Sequence, residues 1–557
     1  MKANREGEPG AAYARDRLRR MLRPPVTVTP PPSGVRFDCD VEVRVRDGTV
    51  LRVNVFRPES GGRVPVIMSA HPYGKDRFPR RTPFGGYEPS LQYRLLRQPA
   101  PVQFSAWTTW EAPDPGYWAP RGYAVVNVDV RGFHRSEGVG ALISDQEAED
   151  YYDVIEWAGA QPWSNGRVGL NGVSYLAISQ WKVASLQPPS LAAICPWEGL
   201  SDLYRDFARP GGIREDGFIV LWSKGVRRGG RLAYDVRAEQ LARPRWDEFW
   251  AARVAALEKI EVPALICGSF SDHNLHSRGS FEAFRRISSK HRWLYTHRGG
   301  KWAVYYSAEG LAFQERFFDC FLKGEENGMR DVPPVRLEVR DVGDAIAEVR
   351  GEPSWPLPGT RWTPLYLHAD GTMGAERANR GRVVLDAAQG RVSFRWDVAA
   401  DAELTGPMKL RLHVEIPGGG DARLFAGVRK LRAGEHVVFE GSYGFGCDMV
   451  TTGFLAVSHR GLDEKHSAEW RPVHTHVDPQ PLAAGEVASL DIELLPSATI
   501  FRAGDVLRLD VQGRWFFRRH PLLGQFPAAY EASPPCTVVL HVGGEHDAHL
   551  LVPVQGR

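Results

Sequence analysis

Gly166-Arg167-Val168-Gly169-Leu170-Asn171-Gly172-Val173-Ser174-Tyr175-Leu176-Ala177-Ile178-Ser179-Gln180-Trp181 is the stretch that decides how this chain folds. It opens with an apolar run suited to a buried strand, passes through Gly-x-Ser, and continues as a Leu/Ala/Ile/Gln/Trp segment of helical character. A serine on a tight strand-to-helix turn is the layout of a nucleophile elbow. Small neighbours are needed there because the turn is strained and the backbones crowd one another. The strict form is Gly-x-Ser-x-Gly. Here Leu176 stands in place of the last glycine, and the nearest small residue is Ala177. Gly199-Leu200-Ser201 carries Gly-x-Ser as well, so the surroundings must decide which serine matters.

Upstream of the elbow, Val41-Glu42-Val43-Arg44-Val45 and Val50-Leu51-Arg52-Val53-Asn54-Val55 alternate around an Asp47-Gly48-Thr49 turn, which predicts an edge hairpin. Val64-Pro65-Val66-Ile67-Met68 reads as a buried strand leading into His71-Pro72-Tyr73-Gly74, and Ala124-Val125-Val126-Asn127-Val128 as another, ending at Asp129. Residues 79–118 read as a long loop over a site. Helical spacing covers 146–158. Downstream come the strand 191–195, the strand Val262-Pro263-Ala264-Leu265-Ile266-Cys267, a helix near 278–288, the strand Arg292-Trp293-Leu294-Tyr295-Thr296 and a helix over 309–322. Apolar strands alternating with helices predict a parallel sheet covered on both faces. Residues 198–258 interrupt this rhythm as a mostly helical insertion, or cap. After Val332-Pro333-Pro334 the texture changes to short alternating strands between Gly, Pro and Asp turns, which predicts a β-sandwich.

At 557 residues the chain has room for about two or three domains with proper cores. The formal charge of +3 is spread without long runs of one sign, which argues against a nucleic-acid binder. Cys39, Cys195, Cys267, Cys320, Cys447 and Cys536 form no CxxC pair, so neither a zinc site nor a disulfide framework is indicated. The N-terminal arm is polar and Arg-rich, and no 18-residue apolar span occurs. A cytoplasmic enzyme is the default expectation.

If Ser174 is a nucleophile it needs a base, and the base needs an orienting acid. In an α/β-hydrolase sheet these follow the serine in the order acid, then histidine. Asp272 stands just after the strand that ends at Gly268, and His297 just after the next one. His273 and His276 lie on the acid's own loop and read better as pocket lining than as the base. Asp129 ends a strand too, but it precedes Ser174, and Arg131 beside it suggests an ion pair. An oxyanion hole would draw on the backbone N–H of Tyr175 and on the hydroxyl of Tyr73. Trp107, Trp110, Trp118, Trp197 and Trp222 are candidates for an aromatic pocket wall.

The blocks His71-Pro72-Tyr73-Gly74-Lys75-Asp76, Arg121-Gly122-Tyr123-Ala124-Val125-Val126, Asp129-Val130-Arg131-Gly132 and Gln161-Pro162-Trp163-Ser164-Asn165-Gly166 running into Gly172-Val173-Ser174-Tyr175 resemble the cocaine esterase and X-prolyl dipeptidyl aminopeptidase family of serine hydrolases. The resemblance covers roughly residues 35–557. It implies an α/β-hydrolase domain with a helical cap and a C-terminal jelly roll, with Ser174, Asp272 and His297 as triad and Tyr73 and Tyr175 as oxyanion hole. It also implies an elbow of the form Gly-x-Ser-Tyr-x-Gly, in which Ala177 replaces the glycine. The family's Gly-Pro-Trp-x-His is replaced here by Leu294-Tyr295-Thr296-His297.

The resulting expectation is a cofactor-free serine hydrolase acting on a small-molecule carboxylic ester or amide, with no metal, no nucleic acid and no membrane partner. A homodimer is the one assembly weighed. The expected layout is an arm at 1–34, the α/β-hydrolase domain at 35–197 and 259–331, the helical cap at 198–258 and the sandwich at 332–557. An X-Pro dipeptidyl peptidase is the nearest alternative, and it would need Glu198, Asp202, Asp206 or Glu215 to hold a substrate ammonium. A catalytically silent carbohydrate-binding relative is the alternative of another class.

Overall fold

The computed structural model describes residues 10–343, 345–441 and 445–556. Of the N-terminal arm, residues 1–9 lie outside the described residues. Its remainder forms a helix, Ala11–Leu22, and a strand, Val26–Thr29, that pairs in parallel with Val102–Ser105. The long loop is thereby tied to the chain's beginning.

The elbow sits in the middle of one large, mostly parallel sheet. The edge hairpin is Val35–Arg44 with Val50–Pro58, and its second strand lies antiparallel to Ala124–Asp129. From there the order runs through Val64–His71, Ser164–Val173, Leu191–Trp197, Ala264–Ser269 and Arg292–His297, all parallel. This is the sheet that the apolar runs predict. Val66, Ile67, Met68, Leu170, Ile194, Leu265, Ile266 and Leu294 are fully buried in it, because helices cover both faces. Helix Asp145–Gly159 begins at Ser144, whose hydroxyl accepts the Glu147 N–H at 3.2 Å, the usual way to satisfy a free helix-start donor. Helices Tyr175–Ala184, Ser277–Arg286 and Ala308–Phe318 follow close to their expected places.

The texture change at Val332-Pro333-Pro334 comes before the change of sheet. Val335–Arg340 still pairs in parallel with Arg292–His297, and Ile346–Glu352 closes the edge antiparallel to it. Prolines and polar alternation mark edge strands as well as sandwich strands, so composition does not separate the two. Arg340 also meets Thr499 of the C-terminal half, so one strand joins both halves.

Among the described residues, the regular structure of the C-terminal half is β apart from one short 3-10 helix, Val457–His459. One layer centres on the long strand Ala402–Glu415, paired with Val487–Phe501 and with His549–Val554. The other holds Arg391–Asp397, Val506–Gln512, Arg423–Arg432 and Thr451–Ala456 in that order. Leu404, Leu410, Leu412 and Val414 of the first layer share one buried core with Leu424, Val428, Leu507 and Leu509 of the second. Among the described residues, no helix is long and apolar enough to cross a membrane.

Candidate active site

Ser174 occupies a strained turn. Its backbone has φ 60° and ψ −116°, a region that non-glycine residues enter only when the surroundings hold them there. Its N–H donates to the Trp197 carbonyl at 3.1 Å, and its carbonyl accepts from Ala177 and Ile178 at 2.9 Å each, the first bonds of the following helix. Gly172 has φ 146°, and a Cβ there would come within 2.5 Å of Leu176 Cβ. The glycine that the elbow lacks is compensated from the loop after the neighbouring strand, Leu191–Trp197. Ala177 packs on Gly199, where a Cβ would lie 2.8 Å from the alanine methyl. The other Gly-x-Ser is structural, since Ser201 is buried with its N–H bonded to Asp206 at 2.9 Å.

The histidine against Ser174 is His276. Its Nε2 lies 3.1 Å from Ser174 Oγ, while its Nδ1 bonds Asp272 Oδ2. This arrangement leaves Nε2 as an acceptor for the serine proton. Asp272 and His276 can both reach it because one helical turn separates them. The Asp272 carbonyl accepts the N–H groups of Leu275, His276 and Ser277, which stacks the two side chains at i and i+4.

His297 does not face Ser174, which corrects the expectation drawn from its position. Its Nε2 donates to Glu198 Oε1 at 3.1 Å, and its Nδ1 accepts the Gly299 N–H at 3.2 Å. Both ring nitrogens are therefore occupied, and the ring lies parallel to Trp197 in the interior. The side chain that reaches the acid from this strand's loop is instead Lys301, whose Nζ donates to Asp272 Oδ2 at 2.7 Å. His273 is turned the other way, with Nε2 3.3 Å from the Pro496 carbonyl of the β-rich half. Together with the Arg278–Glu493 ion pair at 3.0 Å, it braces the acid's loop against that half.

Electrostatics distinguish the members. Burial alone would raise the Asp272 carboxyl, but the Lys301 ammonium and His276 hold it well below the usual carboxylate range. Burial lowers the His276 pKa, and Lys301 lowers it further, against the pull of Asp272. Tyr73 is half-buried and its hydroxyl accepts the Trp222 Nε1–H at 3.2 Å, with enclosure pushing its pKa up and so keeping a proton to donate. Tyr175 is the first residue of its helix, so its backbone N–H belongs to the turn whose donors have no partner within the helix. The Tyr175 hydroxyl points away, to Glu147 at 2.7 and 2.8 Å.

Ser174 and His276 open into a pocket with about 310 Å³ of empty space, counted to its mouth. Apart from Ser174, Tyr73, Tyr175 and His276, its lining is Ile143, Ile178, Leu200, Leu203, Phe207, Phe218, Trp222 and Leu275. Of the five tryptophans expected as a wall, only Trp222 is there. Trp107 packs on Phe37 and Phe56, Trp110 on Tyr93 and Trp302, Trp118 on Tyr123 and Phe318, and Trp197 on Tyr295 and Tyr305. Asp129 is also remote in role, accepting the Lys75 N–H at 2.8 Å. Arg131 pairs with Asp150 and Asp47 rather than with Asp129.

Glu198, Cys267 and His297 bring ligand-type atoms within 4.8 Å of one another. Lys301 Nζ stands 3.8 Å from Glu198 Oε2, and its ammonium already supplies the positive charge that a cation would bring. The three side chains and Lys301 thus form one buried charged cluster beside Asp272.

Comparison with known proteins agrees with this architecture. The model of the X-Pro dipeptidyl-peptidase (S15 family) matches residues 47–228, and that of the X-Pro dipeptidyl-peptidase C-terminal non-catalytic domain matches residues 327–546. The crystal structure of a CocE/NonD family hydrolase from Staphylococcus aureus superposes with a TM-score of 0.87 at 39% identity, over 93% of this chain and 94% of that one. The chain belongs to the CocE/NonD family of hydrolases. A cocaine esterase from a Rhodococcus species is 26% identical, over 93% of this chain and 98% of that protein. An α-amino acid ester hydrolase structure, 17% identical with a TM-score of 0.67 over 94% of this chain and 97% of that one, shares the fold. This CocE/NonD member is a serine hydrolase of ester or amide bonds, with an N-terminal catalytic domain and a C-terminal non-catalytic β domain.

Proposed function

We propose that this hydrolase cleaves carboxylic esters through an acyl-enzyme on Ser174, with His276 as general base and Asp272 as its orienting acid. The observation that carries the reading is the 3.1 Å contact between Ser174 Oγ and His276 Nε2, backed by the Nδ1 bond to Asp272. His276 takes the serine proton as Oγ attacks the carbonyl carbon, and the imidazolium that forms is held by Asp272. The Tyr73 hydroxyl and the Tyr175 backbone N–H stabilise the oxyanion, where preorganised donors contribute most. His276 then protonates the leaving alkoxide. Water, deprotonated by the same histidine, attacks the acyl-enzyme and releases the acid.

The pocket beside Ser174 suits an apolar, uncharged group on one side of the scissile carbonyl. The carboxylates that an X-Pro peptidase reading needs are already engaged. Glu198 holds His297, Asp202 pairs with Arg205 at 2.7 Å, and Asp206 pairs with Arg278 at 2.9 Å. Glu215 accepts the N–H groups of Gly217, Phe218 and Ile219. The likeness to a cocaine esterase also favours an ester over a peptide.

In the same reading, segment 198–258 is a helical cap, since it supplies Leu200, Leu203, Phe207, Phe218 and Trp222 to the pocket. The two layers of the C-terminal half are read as a jelly roll; the arm and cap boundaries given above are kept, while the hydrolase sheet extends past 331 to the strands Val335–Arg340 and Ile346–Glu352 before the sandwich begins. A cytoplasmic location and a homodimer remain part of the proposal, for fractionation and light scattering to test.

The test of function is fluorophosphonate labelling with peptide mapping, followed by a panel of p-nitrophenyl esters and X-Pro anilides. Label on Ser174 and preference for neutral, apolar esters are expected. Label elsewhere, or a Ser174→Ala variant as active as wild type, would overturn the assignment, because binding and oxyanion hole alone leave only about 10³–10⁴-fold catalysis over water.

A further inference from the structure

Beneath the Ser174–His276 contact lies a second layer of charge that the proposed reaction does not use. Lys301 is 1% exposed and opens the short helix Lys301–Tyr305 just after Gly299-Gly300. Its Nζ donates to Asp272 Oδ2 at 2.7 Å and stands 2.9 Å from His276 Nδ1. In the tautomer that serves Ser174, Nδ1 carries its own proton for Asp272. Lys301 then meets the ring as a neighbouring positive charge, not as a donor to it.

The groups facing this pair come from every strand end around it. Ser174 faces it from the elbow, Glu198 from the loop after Leu191–Trp197, and Glu111 from the long loop. His297 closes the far side of Glu198. Glu111 Oε1 accepts the Trp302 Nε1–H at 3.2 Å, and its other oxygen has no hydrogen-bond partner among the described residues. Lys301 is thus an ammonium between two buried carboxylates, Asp272 and Glu198, while burial pushes the Glu111 carboxyl up to about 8 and keeps it protonated in mildly acidic solution. Its 2.7 Å contact is to the one oxygen that also serves the histidine.

We propose that Lys301 is a positioning residue whose ammonium pins the shared Asp272 oxygen and keeps His276 neutral, ready to take the Ser174 proton, in mildly acidic solution. The inference rests on the reading of Ser174, His276 and Asp272 as the reacting triad. Its physics is local. A like charge beside the imidazole disfavours imidazolium, and neutralising part of the Asp272 charge weakens the attraction that would favour it. In the same direction, the Lys301 ammonium adds to burial in pulling His276 below the ordinary histidine range. Burial works against charge on Lys301 itself, but Asp272 first and Glu198 after it more than offset it, so the lysine stays protonated throughout.

The test compares the pH dependence of kcat/KM of full-length wild type, Lys301→Met and Lys301→Gln on one p-nitrophenyl ester. Lys301→Met should move the acid limb up by about one pH unit. Lys301→Gln, neutral, polar and of similar length, should move the limb in the same direction, which keeps the test decisive should the methionine variant fail to fold. A Lys301→Met or Lys301→Gln enzyme of reduced kcat with an unmoved acid limb would overturn the role of Lys301. Fluorophosphonate labelling separates the two levels. If wild-type Ser174 is not labelled, the triad reading itself fails. If it is labelled and the limbs stay fixed, only the lysine's role does.

Discussion

His276 Nε2 stands 3.1 Å from Ser174 Oγ although His276 shares a loop with Asp272, only four residues away. Acid and base are thereby aligned by one turn of backbone instead of by the packing of two separate loops. The strand that would otherwise deliver the base ends in His297 and delivers Lys301 to the acid instead.

The shared turn makes Asp272 the most sensitive position after the serine and histidine. Asp272→Asn keeps the shape but exchanges an acceptor for a donor toward His276 Nδ1. It should lower kcat on p-nitrophenyl acetate by about 10⁴-fold with little change in KM. A loss below tenfold would mean that Asp272 does not orient the base.

Tyr73→Phe removes one oxyanion donor while keeping the ring against Tyr175. A loss of about 10²–10³ in kcat is expected in steady-state kinetics. Trp222→Phe removes the bond to the Tyr73 oxygen and part of the pocket wall but leaves the oxyanion donor in place, and should cost less. Equal losses for the two, or none for Tyr73→Phe, would make Tyr73 a packing residue.

Leu203 is 1% exposed and lines the pocket. Leu203→Ala should lower unfolding free energy by about 2–4 kcal/mol, measured by urea titration. It should also shift the acyl-chain optimum on a p-nitrophenyl ester series toward longer chains. An unchanged optimum in a destabilised protein would place the substrate group elsewhere.

His459 and His474 lie buried where the C-terminal half meets segment 198–258, beside His476, whose carbonyl accepts the Trp246 N–H at 3.0 Å. Burial pulls both down to about 4 from an ordinary value near 6.5. The sign follows from proton binding. Between those values the unfolded chain takes up protons that the folded protein refuses, so stability falls as pH drops from about 6.5 toward 4, by up to about 3 kcal/mol for each histidine. Buried carboxyls such as Glu147 and Glu215, pushed up to about 7, act in the opposite sense over the same window, so the readout is a difference. By calorimetry, the melting temperature of His474→Gln should fall less on acidification than that of wild type. Identical pH profiles for the two would contradict the burial argument.

Much of this was legible in the chain because it is written locally. Val64–His71, Ser164–Val173 and Ala264–Ser269 are apolar enough to name a buried parallel sheet, and Gly172-Val173-Ser174 names the turn at its centre. Strand ends, which a sheet places at one edge, point to Ser174, Asp272 and Tyr73. Strand position favours His297, and a loop shared with the acid counts against His276; the side-chain contacts reverse that order in favour of His276. The signal that could have favoured it was the four-residue spacing from Asp272, immediately before a helix, which puts both side chains on one face. Lys301 left no such signal, since a buried lysine is recognised only by the carboxylates folded around it. The tryptophans misled because large aromatics fill cores first, as Trp118 and Trp197, both 0% exposed, do here.

The most direct measurement sets His276→Ala beside His297→Ala, both full-length and folded by circular dichroism, and compares kcat on one activated ester. His276→Ala is expected to lose on the order of 10⁴-fold or more, with His297→Ala retaining turnover close to wild type. The reverse order, with His276→Ala active and His297→Ala dead, would contradict the Ser174–His276–Asp272 triad.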